Sequence, residues 1–210
     1  MAKSNSKTDL TLLEKGAYGE GKSLVAGLDE AGRGPLAGPV VAGAVVFPES
    51  FINSSFVNSL GINDSKKLTE KKRHSLIDDI HFHALSVGVG VVWPEGVDSL
   101  NIHNASLKAM ELALVRLTVK PDIVLVDGAF TIKEVTLPQM AIKGGDGKSV
   151  SIAAASIIAK TTRDNIMKAY DYLFPEYGFA GHKGYGTKAH REAIKKHGAT
   201  PIHRKSFSWG

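Results

Sequence analysis

Asp29 and Glu30 stand side by side in Val25-Ala-Gly-Leu-Asp-Glu-Ala-Gly-Arg-Gly-Pro-Leu-Ala-Gly-Pro39, where an apolar run gives way to glycines. Two carboxylates above a loop whose backbone amides approach a ligand closely suit metal-assisted work on a phosphate ester. Gly32, Gly34 and Gly38 permit that approach, because a glycine has no Cβ to hold a ligand away. Neighbouring residues on a straight strand point to opposite faces, so a shared site is expected to need a turn of the chain at Glu30. The plain alternative is an acidic strand-to-loop turn.

Three further acids sit where such a site would draw on them. Asp127 ends the apolar run Ile123-Val-Leu-Val-Asp127 and precedes Gly128. Ligand sites in open α/β sheets gather at strand ends, so Asp127 meets Asp29 if their strands are neighbours; otherwise it makes an Asp-Gly turn. Asp146 lies in Lys143-Gly-Gly-Asp-Gly-Lys-Ser149 just before a helix, as a helix-terminus residue or as a fourth acid over a metal. Gly147-Lys148-Ser149 mimics the end of a phosphate-binding P-loop, but that motif needs glycine where Ile142 stands, and a nucleotide-binding switch fails with it. Asp164, in Lys160-Thr-Thr-Arg-Asp164, could simply form a surface ion pair with Lys160 one helical turn earlier. Several acids suit phosphodiester hydrolysis, because two hard cations can activate a water, neutralise the phosphate and stabilise the leaving oxygen. Oxygen-only ligands favour Mg²⁺ or Mn²⁺ over zinc.

The elements that must position these acids follow from apolar spacing. Residues 1–22 read as a loose polar leader with a short helix around Leu10 to Lys15, ended by Gly16. Strands are expected at Val25 to Asp29 and Pro39 to Phe47, then a polar, irregular stretch from Phe51 to Leu68. A helix from Thr69 to His83, with Thr69 as N-cap, leads to a third strand, Ala84 to Trp93. A helix from Ile102 to Leu117 precedes strands at Ile123 to Asp127 and Gln139 to Ile142. The helix Val150 to Leu173 carries Ala153-Ala-Ala155, which permits close packing, and a last helix, Lys188 to His197, ends at Gly198. Strands followed by alternating helices and strands give an α/β protein with a mixed sheet.

Composition narrows the classes. The chain has 210 residues, 43% hydrophobic and 22% charged, which suits one good-sized core. No apolar run approaches a membrane span, and Met1 to Lys22 lacks the apolar centre of a signal peptide. The absence of cysteine excludes disulfides, thiolate zinc sites and a cysteine nucleophile, and fits the cytosol. The net charge is +5, yet Gly181 to Gly210 alone carries seven cations against Glu192, so that segment is +6 and the rest −1. Four histidines lie there too. A basic segment on a nearly neutral body is the footprint of a polyanion binder, unless it is only a solvated lysine-rich helix.

The Val25–Pro39 string resembles the signature of type 2 ribonuclease H, the ribonuclease HII family. The resemblance continues in order through Asn63-Asp-Ser-Lys-Lys-Leu68, the strand end at Asp127, His182-Lys-Gly-Tyr-Gly-Thr-Lys-Ala-His190 and Ile202-His-Arg-Lys-Ser-Phe207. It implies a ribonuclease H-like mixed five-stranded sheet flanked by helices, with a helical C-terminal segment, in one catalytic domain over residues 23–210. It implies hydrolysis of the phosphodiester 5′ of ribonucleotides, in RNA–DNA hybrids or singly embedded in duplex DNA, leaving 3′-hydroxyl and 5′-phosphate, as in ribonucleotide excision repair. Two ions of Mg²⁺ or Mn²⁺ would be held by Asp29, Glu30, Asp127 and Asp146, with Asp164 a further acidic position near them. Gly32, Arg33 and Gly34 would sense the 2′-hydroxyl largely through the backbone, and Tyr185 would pack on the deoxyribose that follows. Lys66, Lys183 and Arg204 are the expected phosphate contacts, and Asp64 a turn cap.

The resemblance further implies a cytoplasmic monomer with no obligate protein partner and no membrane association. The leader is too short for the extra N-terminal domain of ribonuclease HIII, Asp146 stands where that relative usually has glutamate, and only Ser-Trp-Gly follows Phe207, so no clamp-binding tail is evident. Two rivals are a non-catalytic hybrid-binding protein and another nuclease of the same fold. Clustered carboxylates repel phosphate and argue against the first, while the sugar-sensing loop and Tyr185 argue against the second.

Overall fold

Five apolar runs pair into one mixed sheet. The computed structural model describes residues 9–63 and 65–209, without the side chain of Lys67. β1 (Val25–Ala31), β2 (Val40–Val46) and β3 (Ser86–Val92) form an antiparallel ribbon. β4 (Ile123–Asp127) lies parallel to β1 on its other side and β5 (Gln139–Ile142) parallel to β4, giving the order β3-β2-β1-β4-β5. The helices are α1 (Leu12–Gly19), α2 (Glu49–Ile52), α3 (Val57–Leu60), α4 (Glu70–His83), α5 (Pro94–Val115), α6 (Val150–Leu173), α7 (Phe179–His182) and α8 (Lys188–His197). This is the expected mixed five-stranded sheet flanked by helices, with a helical C-terminal region. Among the described residues no helix is long and apolar enough to cross a membrane.

Strand alternation sends Ala26, Leu28, Ala42 and Ala44 to one face, where Ala105, Ala109 and Met110 of α5 cover them. Gly27 and Gly43 face the other way, towards α6, which approaches so closely that a Cβ on Gly43 would lie 2.4 Å from the Ala155 carbonyl oxygen. The Ala153–Ala155 run is fully buried there, as its small side chains allow. Thr69, Ser149 and Thr187 cap α4, α6 and α8 by accepting from backbone N–H groups in the first turn.

Several local expectations are corrected. β1 does not end at Asp29 but continues to Ala31, and the chain does not turn at Glu30. α1 runs through Gly16, because tertiary anchoring outweighs about 1 kcal/mol of glycine helix cost. Its Glu14 is buried and accepts from Ser149 Oγ (2.6 Å) and the Ser151 amide (3.0 Å), so this part of the leader is docked at the start of α6. Residues 51–62 are not merely polar and irregular: Phe51, Ile52, Val57 and Ile62 enter the core from α2, α3 and the turn after them. α5 begins at Pro94 and breaks at Asn101 (φ 63°), whose Oδ1 accepts from the amides of His103 (3.0 Å) and Asn104 (3.1 Å). Ile102 was thus the start of a second, freshly capped segment. Asp64, and residues 1–8 of the leader, lie outside the described residues.

Candidate active site

β1 outlasts its neighbour. The last paired residues are Leu28 and Val126, after which β4 reaches only Asp127. Beyond that point β1 has an open edge, and side chains from both of its faces can reach round it. Asp29 shares the α6 face with Gly27, and Glu30 shares the α5 face with Leu28. Both line one cleft of about 160 Å³ with Asp127, Arg33, Lys160 and Tyr185. Glu30 and Asp127 also line a hollow of about 260 Å³ on the α5 side, with His103 and Phe130. The acids therefore meet around the end of β4, with no turn in β1.

Asp29 is 3% exposed and accepts from the Glu30 amide (2.7 Å). Burial, and then the charges of Glu30 and Asp127, push its carboxyl well above the usual carboxylate range. Burial also raises Glu30, against the Arg33 guanidinium 3.2 Å away, which favours its charged form. Asp127 Oδ1 accepts from the Gly145 amide at 2.7 Å. That bond fixes the turn Gly145–Gly147, and with it the buried Asp146, beside the end of β4. The donor set is all oxygen, and its mutual repulsion is what a hard divalent cation relieves. Among the described residues no group of three or more His, Asp or Glu is placed closely enough to hold a metal ion. Mg²⁺ needs no such group, since it keeps waters and takes substrate phosphate oxygens beside one or two carboxylates.

Asp164 sits elsewhere. It is buried on α6 and paired with Lys160 Nζ (2.6 Å) and Arg73 Nη2 (3.5 Å), and it does not line the cleft. The pair with Lys160 forms as spacing suggested, but in the interior and with a second cation. Lys160 itself reaches the cleft, which its place four residues before Asp164 did not reveal.

The glycine loop and the Tyr185 loop form one body. The Leu36 amide donates to Gly184 O (2.8 Å), Gly38 N to Ile202 O (2.8 Å) and Arg204 N to Leu36 O (2.8 Å), and Ala37 bridges His203. Gly184 (φ 83°) is required here, since a Cβ would lie 2.4 Å from Ala37 O. Gly32 (φ 100°) is required for internal packing: its missing Cβ leaves room for the Arg163 side chain. Only Gly34 faces the cleft with space to spare, where a Cβ would stand 3.6 Å from the ring of Tyr185, which also lines the cleft.

One of the expected phosphate contacts turns inward. Arg204 is fully buried and donates to Gly38 O through Nε (3.0 Å) and Nη2 (2.8 Å), to Arg33 O (3.0 Å) and to Gly32 O (2.6 Å). Its guanidinium holds the glycine loop and has no face left for a phosphate. Lys183 Nζ donates to Ala180 O, closing its own turn. Lys66 stays exposed on the cleft rim. Arg163 is the residue that sequence reading passed over. It is buried and joins both loops, donating to Pro39 O (2.9 Å), Ala37 O (3.1 Å) and Lys183 O (3.0 Å). Burial lowers Arg163 to about 10 and Arg204 to about 9, so both keep their charge at neutral pH. The signal for Arg163 was its i+4 spacing from the buried Ala155 and Ala159 and before Met167.

A model of the family described as ribonuclease HII matches residues 26–209. Ribonuclease HII of Acetivibrio thermocellus is 52% identical over 205 residues, covering 97% of this chain and 77% of that protein. Among solved structures, ribonuclease H2 from Pyrococcus horikoshii OT3 superposes with a TM-score of 0.75 at 30% identity, over 89% of this chain and 94% of that one. Ribonuclease HII from Archaeoglobus fulgidus, solved in complex with PCNA, gives 0.73 at 28% identity over 88% and 95%.

Proposed function

Because this chain belongs to the ribonuclease HII family and is an endonuclease of the ribonuclease H type, we propose that it cuts duplexes on the 5′ side of a ribonucleotide, leaving 3′-hydroxyl and 5′-phosphate ends. Its substrates are then RNA–DNA hybrids and DNA duplexes with single embedded ribonucleotides. The observation that carries this reading is the convergence of Asp29, Glu30 and Asp127 on one cleft whose opposite wall is Tyr185 and the glycine loop.

In the proposed mechanism Asp29, Glu30 and Asp127, with Asp146 beside them, hold two divalent cations, Mg²⁺ or Mn²⁺. Those ions supply charge neutralisation at the scissile phosphate and a nucleophilic water at neutral pH. The protein does the positioning. Tyr185 packs on the sugar after the ribonucleotide, and backbone groups of Gly32, Arg33 and Gly34 contact the 2′-hydroxyl. Arg33, half-exposed beside Glu30, and Lys160 place positive charge along the phosphate track. Lys66 on the rim contributes a backbone contact that carries no sequence information. Arg163 and Arg204 act from below by fixing the loop carbonyls.

The test is a cleavage assay on a DNA duplex carrying one ribonucleotide, beside its all-DNA twin, with Mg²⁺, Mn²⁺ or chelator. The expected result is a metal-dependent cut 5′ of the ribonucleotide and an intact twin. Tight binding without any cut would favour a non-catalytic binder, and cutting of both duplexes would remove the sugar sensor.

A further inference from the structure

Four histidines fall in the basic C-terminal segment, and three of them do not serve as surface charge. His190 and His203 are buried, at 0% and 2% exposure, and His182 stacks on His190 with ring centres 4.4 Å apart. Their protons can be placed, because a backbone N–H only donates. The Thr200 amide donates to His203 Nδ1 (2.9 Å), so His203 carries its proton on Nε2. His203 Nε2–H then donates to His190 Nε2 (3.0 Å), which leaves His190 protonated on Nδ1. His190 Nδ1–H donates to the Tyr185 carbonyl (2.9 Å). The Gly184 amide likewise donates to His182 Nδ1 (3.1 Å), and His182 Nε2–H donates to Tyr177 O (2.8 Å). Burial pushes His190 down and His203 down to about 4, so both stay neutral at physiological pH.

We propose that His203 and His190 form a directional imidazole chain, from the Thr200 amide to the Tyr185 carbonyl, that positions Tyr185 for recognising a single ribonucleotide. The chain has one direction only: each ring must accept on one nitrogen and donate on the other. Reversing either ring sets two donors or two acceptors against each other. Tyr185 lies on a loop between two glycines and is 45% exposed; its other backbone bonds, to His182 O (2.9 Å) and from the Thr187 amide (2.8 Å), stay within that loop, so the His190 bond is the handle that ties its backbone to α8. The role of the chain rests on the reading of Tyr185 given above. His190 and His203 are positioning residues here and touch no substrate.

The test compares kcat/KM of the full protein and its His190→Ala, His190→Asn and Tyr185→Ala variants on a singly substituted duplex and on a long hybrid. His190→Ala should lose about 10- to 100-fold on the single ribonucleotide, the scale of a misplaced contact, and clearly less on the long hybrid. His190→Asn, whose side-chain amide keeps an N–H at the place of Nδ1 but has nothing at the place of Nε2, should recover only part of that loss, and full recovery would take His203 out of the chain. An equal loss on both substrates, or none on either, overturns the proposal. If Tyr185→Ala shows no preference between substrates, the reading of Tyr185 fails instead. The chain is then judged by hydrogen exchange of residues 183–187 in His190→Ala, where faster exchange supports the tether and unchanged exchange overturns it. Should His190→Ala not fold, ¹⁵N chemical shifts of the unaltered protein decide. Protons on His190 Nδ1 and His203 Nε2 support the chain, and the opposite tautomer at either ring overturns it.

Discussion

At the end of β1, Asp29 and Glu30 are brought beside Asp127, and burial and the neighbouring carboxylates oppose their ionisation. Across the cleft Arg163 and Arg204 are buried at least as deeply, yet they keep their charge because their N–H groups meet the carbonyls of residues 32–39 and 183. Burial is common to the two regions and complementarity is not. The acidic side is left wanting positive charge, which suits a cation that arrives with substrate. The reading side is satisfied internally, so its geometry is set before anything binds. One region is built to change on binding and the other to stay as it is.

The comparison is most easily broken at its acidic pole. Asp127→Asn keeps the size of the side chain and removes its charge, so cleavage should fall by about 10³-fold or more, equivalent to about 4 kcal/mol, with the circular dichroism unchanged. Near-normal activity would take Asp127 out of the metal set. On the reading side, Arg204→Met strands four carbonyl contacts and should cost about 3 kcal/mol in urea unfolding, while the salt dependence of duplex binding stays the same. A salt slope lower by about 1 with stability intact would make Arg204 a phosphate contact after all.

A subtler effect separates the regions by sign. Asp29 and Glu30 titrate higher in the folded chain than in the unfolded one, so the metal-free protein loses stability as pH rises through their native range. Asp29→Asn should therefore raise the melting temperature of the metal-free protein at neutral pH by about 2–4 °C, and added Mg²⁺ should narrow the gap by stabilising the parent. A lower melting temperature would mean that the carboxylate is satisfied without metal. Lys66→Ala should have the smallest consequence, a salt slope lower by about 0.9 and a few-fold weaker binding on every duplex.

Sequence carried the acidic region further than the reading one. Asp127 at a strand end and the long α6 are local patterns, and local patterns are what periodicity reports. The meeting of Asp29 and Glu30 was expected, but by a turn; it depends on β4 being shorter than β1, which the pairing register decides. Arg163 went unread and Arg204 read as a phosphate contact because their partners are carbonyls far along the chain, and a carbonyl has no sequence signature. Asp164 gave its Lys160 partner by spacing and hid Arg73, which comes from another helix.

Arg204 grips Gly38 across 166 positions of chain. At about 5–20 residues per second, the ribosome makes the glycine loop roughly 8–33 s before the guanidinium that fastens it. The acids of β1 and β4 are made much sooner, since Asp127 emerges well ahead of Arg204. During synthesis the chain therefore carries the carboxylates proposed to hold metal before the guanidinium that clasps the glycine loop, and a product stalled short of Arg204 would lack that clasp.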